Sequence, residues 1–73
     1  MTKILDREQV LELKKEYPSK TKIRLIHMND YQAPPAGTIG TVTSVDDMGT
    51  IHIAWENGSS LGLIPSEDSF EKI

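Results

Sequence analysis

Apolar and polar positions change their period once along the chain, close to Pro18. Before it, Val10, Leu13 and Tyr17 recur at helical spacing with Leu11 beside them, while Glu8, Glu12, Lys15 and Glu16 occupy the opposite face. Asp6-Arg7-Glu8-Gln9 has the form of a capping box, with Asp in place of the usual Ser or Thr, and Leu5 and Val10 stand where a hydrophobic staple would close. Lys14 and Lys15 suit the negative end of a helix dipole, and Pro18 stops the helix. The spacing therefore predicts one helix over about residues 7–16. So short a helix is marginal alone in water, so its apolar face must dock on the rest of the chain.

After residue 18 the pattern alternates. Lys22–Met28 reads as a strand with Ile23 and Leu25 on one face, His27 continuing it, and Ile26 and Met28 on the other. Apolar residues on both faces predict that the outer one is covered by the helix. Asn29–Ala36 is a polar loop with two prolines and one tyrosine. Gly37–Val45 is a second strand whose glycines suit a bend or bulge. Asp46–Gly49 is a turn, and Thr50–Glu56 alternates with Ile51, Ile53 and Trp55 inward. Asn57-Gly58 predicts a two-residue type I′ hairpin turn. Ser59–Ile64 then returns as a fourth strand, residues 65–68 form a 3₁₀ turn, and residues 69–73 form a closing strand. Five short strands with tight turns make a small barrel or a partly open roll. The predicted core is Val10, Leu13, Ile23, Leu25, Val42, Val45, Ile51, Ile53, Trp55, Leu61, Leu63 and Phe70.

Length sharpens this picture. Seventy-three residues make one domain, residues 1–73, with the helix at about 7–16 and the barrel over about 20–73. A chain of this size buries only roughly 60% of the surface it exposes when unfolded, which leaves little room for a deep substrate cavity. Cysteine is absent, so neither a disulfide framework nor a thiolate metal site is available, which favours a reducing compartment. The N-terminal residues lack the apolar stretch of a signal peptide, and the apolar runs are too short to span a membrane. The expectation is a cytoplasmic protein without membrane contact. Net charge is −3, divided unevenly: residues 1–24 carry +3 and residues 25–73 carry −6. An acidic body is a poor general binder of polyanions, since phosphate neutralisation supplies most non-specific nucleic-acid affinity.

The rhythm Gly37-x-x-Gly40-x-Val42, then Val45-Asp46-Asp47, then Ile51–Ser59 resembles the middle strands of SH3-like barrels, among them KOW-containing and mind-bomb-type domains. The stretch from about Tyr17 to Phe70, with Arg24–Met28 and Leu61–Pro65, more closely resembles a family of short bacterial proteins of unknown function. Its members are often carried on phage, plasmid and conjugative elements of Gram-positive bacteria. The resemblance implies a mainly β, SH3-like five-stranded barrel and imports no activity.

Candidate sites follow from the few residues able to do more than fold. Two readings fit Trp55: a core residue by parity with Ile51 and Ile53, or a partner contact. Tyr31, Pro34 and Pro35 sit on the long loop, either as a recognition surface or as the cover of an open barrel end. A polyproline groove needs several aligned aromatics, and the chain has four aromatic residues in all. Lys20, Lys22 and Arg24 recur at spacing two and could track a phosphate backbone, or could protect an edge strand from pairing. His27 and His52 have no metal-ligand spacing; Asp46-Asp47 and Glu67-Asp68 read as turn acids; serines 59, 60, 66 and 69 have no histidine at a motif spacing. No catalytic residue, cofactor site or metal site is therefore expected. The leading expectation is a non-enzymatic protein-interaction module, an accessory or regulatory protein of a mobile element, with Tyr31, Pro34, Pro35 and Trp55 as contacts to another protein. The alternative is a nucleic-acid-binding barrel that uses Lys20, Lys22 and Arg24.

Overall fold

A computed structural model describes residues 6–73. Helix α1, Arg7–Glu16, begins at the capping box: Gln9 N donates to Asp6 Oδ1 at 2.8 Å and Asp6 N to Gln9 Oε1 at 3.1 Å. Leu5, the other half of the expected staple, lies outside the described residues. Four strands follow: β1 Lys22–His27, β2 Ile39–Val45, β3 Ile51–Trp55 and β4 Ser69–Lys72. All pairings are antiparallel in the order β3-β2-β1-β4, so β3 and β4 form the two edges and the sheet does not close on itself. The protein is mainly β, one sheet with one helix.

The expected strand over Ser59–Ile64 is reduced to a single bridge between Ile51 and Leu63. The Asn57-Gly58 turn explains this. Gly58 alone has a left-handed φ (+90°), and Gly58 N donates to Trp55 O while Trp55 N donates to Ser59 O. The hairpin therefore has a three-residue loop, a type I turn followed by a left-handed glycine, rather than the two-residue type I′ turn. Leu61 O then accepts the Trp55 indole N–H at 2.8 Å, so this backbone serves a side chain instead of a ladder. The Asp46–Thr50 turn is built alike: Gly49, at φ +86°, donates to Asp46 O, and Asp46 N donates to Thr50 O.

Val10, Ile23, Leu25, Val42, Val45, Ile51, Ile53, Trp55 and Leu63 are buried, with Leu13, Tyr17, Met28 and Phe70 packed against them. Two bulges depart from simple alternation. One falls between Val42 and Ser44, at Thr43 and not at a glycine. The other falls between Leu25 and His27. The extra residue reverses the side-chain parity, so Met28 reaches the core and His27 is exposed. Ile26 is half exposed: α1 packs beside β2 and does not cover the outer face of β1.

Candidate interaction groove

One side of α1, from the half-buried Leu13 outward, forms one wall of an open groove of about 390 Å³. Gln9, Glu12, Leu13 and Glu16 line it from the helix, Met48 and Gly49 from the β2–β3 turn, and Ile64, Pro65 and Ser66 from the turn before β4. Local chemistry holds each wall in place. The Asp46 carboxylate accepts from Met48 N at 2.9 Å, Thr50 N at 3.0 Å and His52 Nε2 at 2.9 Å, fixing the turn whose tip carries Met48. The His52 hydrogen bond, with help from those two backbone N–H groups, holds the Asp46 carboxyl below its ordinary pKa. The third wall closes in the same way, since Ile64 N donates to Asp68 Oδ2 at 2.8 Å and Ile64 O accepts from Glu67 N and Asp68 N. The acids Asp46 and Asp68 thus act as turn staples. Lys14 Nζ reaches Asp47 Oδ1 at 3.1 Å and ties helix to turn.

The exposed apolar residues Met48 (68% exposed) and Ile64 (42%) stand on two walls of this groove. The sequence held a signal that the strand pattern hides. A methionine at the tip of an Asp-Gly-flanked turn and an isoleucine before a proline are apolar where turn chemistry expects polar residues.

The structure separates the residues singled out on sequence grounds. Trp55 is 4% exposed, with its indole satisfied inside the protein, so it is a core residue and not a surface contact. Pro34 is buried as well, anchoring the loop between two hydrogen-bonded turns, residues 30–33 and 35–38. Pro35 is exposed, and Tyr31 is 96% exposed on the first turn, which Asp30 staples by accepting from Gln32 N. Tyr31 and Pro35 remain available to a partner; Pro34 and Trp55 do not.

The basic run is broken up too. Lys20 precedes β1 at φ +78°, the third residue of a turn closed by Thr21 N to Pro18 O. That backbone costs a residue other than glycine about 1 kcal/mol and turns Lys20 out of line with the strand. Arg24 donates to Glu71 Oε2 at 3.0 Å on the neighbouring strand, which leaves Lys22 on that face beside Thr41. Among the described residues, no group of three or more His, Cys, Asp or Glu lies placed to hold a metal ion. No described helix is long and apolar enough to cross a membrane.

A family model described as a domain of unknown function (DUF4314) matches residues 6–73. No curated protein and no solved structure matches the chain.

Proposed function

This chain belongs to the DUF4314 family, a domain of unknown function, and we propose that it is a non-enzymatic protein-interaction module. The observation that carries the proposal is the groove: apolar residues held at the rims of hydrogen-bonded turns, on a chain of a size that spends its apolar surface on a core. Among the described residues lining it, Glu12, Glu16 and Ser66 are the ionisable or nucleophilic groups, and no histidine, lysine or cysteine joins them there to form an acid–base or nucleophilic pair. The exposed Tyr31 and Pro35 supply a second contact region. In this reading the open sheet is a variant of an SH3-like barrel in which the Ile51–Leu63 bridge stands for the missing strand. The resemblance to proteins of mobile elements supports a role as a cytoplasmic accessory or regulatory protein.

The test places a photo-crosslinking residue at Met48, Tyr31 or Lys22 and irradiates the protein in a bacterial lysate. Protein adducts from Met48 or Tyr31 are the expected result. Nucleic-acid adducts from Lys22 alone would replace the reading with the nucleic-acid alternative, and adducts from none of the three would end it.

A further inference from the structure

The groove is walled by two turns and a helix rather than by a strand edge, and three of its backbone N–H groups are already bonded. Met48 N donates to Asp46 Oδ1, Gly49 N to Asp46 O and Ile64 N to Asp68 Oδ2, and Pro65 has no N–H to offer. The remaining wall is α1, whose backbone is bonded within the helix. An extended peptide gains affinity by laddering its backbone onto a free strand edge, and none of the described lining residues lies in a strand. Laid in this groove it would find no strand to ladder against. The occupant must satisfy its backbone by itself, which a helix does.

Charge then selects among helices. Among the described residues, the ionisable groups lining the groove are Glu12 and Glu16, one helical turn apart on α1, and none of the lining residues is a cation. The neighbouring Lys14 is turned to Asp47. At about 390 Å³ the groove lies at the small end of binding pockets, enough for the apolar side chains of one or two helical turns.

We propose that the groove receives an amphipathic helix of another protein, with apolar side chains against Leu13, Met48 and Ile64 and lysines or arginines one turn apart against Glu12 and Glu16. The inference rests on the interaction-module reading and adds the conformation and charge of the partner. Its arrangement is that of an apolar seam flanked by complementary charges.

The experiment selects binders for the full chain from a displayed library of helical amphipathic peptides randomised at the positions flanking the apolar stripe. Winners enriched in Lys or Arg at i and i+4 are expected. They should lose affinity roughly tenfold against the double variant E12K/E16K and weaken as salt rises. Both glutamates are exposed, so that variant is expected to fold, which its thermal melt checks. Neutral or acidic winners that M48D abolishes would overturn the basic-helix inference and leave the groove as a docking site. Winners insensitive to M48D, or no winners, would overturn both. Dimerisation of the chain alone, abolished by M48D, would show that a second copy is the occupant and likewise overturn it.

Discussion

Gly40 shows how little slack this core has. It pairs with Ile23 on one side and Trp55 on the other, and it is buried. A β-carbon built there would strike Ile53 Cγ2 and lie 2.7 Å from Trp55 Cε3, side chains that are themselves held by close packing. The indole cannot retreat without giving up its bond to Leu61 O. Gly40→Ala is therefore expected to cost about 1–3 kcal/mol, the usual penalty of overpacking. Urea unfolding followed by the single tryptophan would show a lower midpoint with an unchanged slope. An unchanged midpoint would mean that the sheet can shift to admit a methyl group.

Among the elements, the β2–β3 turn depends most on one ionised group. Asp46 accepts from Met48 N, Thr50 N and His52 Nε2, and its folded pKa lies below its unfolded value of about 3.9. A carboxyl depressed on folding adds stability that is complete above the unfolded value and disappears as pH falls through the folded one. Wild type is expected to exceed Asp46→Asn by a steady margin between pH 5 and 7, and the gap should close below about pH 4. Thermal melts across that range provide the check; a gap that persists at pH 2 would show that the charge is not what holds the turn. The turns are also where sequence and structure part. Helix α1 was legible from its capping box, and β1, β2 and β3 from alternating Ile, Leu and Val, because both signals are local. Asn57-Gly58 misled because the dipeptide suits two loop lengths, and the choice between them rests on Trp55 and Leu61, six residues apart. The groove was not legible because Gln9, Met48 and Ile64 meet only through tertiary packing. Of the two readings open for Trp55 the core one holds, and Pro34 is buried in its loop, so neither offers the contact surface that its residue type suggests.

For the molecule as a whole, the uneven charge along the chain resolves into pairing across it. Lys14 with Asp47 and Arg24 with Glu71 each join the basic first third to the acidic remainder. The side chains in both pairs are 42–97% exposed, so neither adds much stability. Raising salt to 1 M is expected to change the unfolding free energy by less than about 1 kcal/mol, read from urea curves at low and high ionic strength. A larger loss would mark a field effect beyond these pairs. What the pairing does accomplish is to use up Arg24 and Lys14, cations on which a nucleic-acid surface would have drawn.

The sheet order also has a consequence in time. β1 finds one neighbour in β2, close in sequence, but its other neighbour is β4, and Arg24 meets Glu71 across 47 residues of chain. Closing so long a loop carries an entropy cost that is recovered only when the pairing is complete, so β4 docks late. At about 5–20 residues per second of synthesis, the ribosome leaves one edge of β1 unpaired for seconds. In the folded protein β1 lies inside the sheet, so Lys22 and Arg24 do not guard a finished edge. Alternating with Ile23 and Leu25, they are charges of the kind that discourage a temporarily open edge from pairing with other nascent chains.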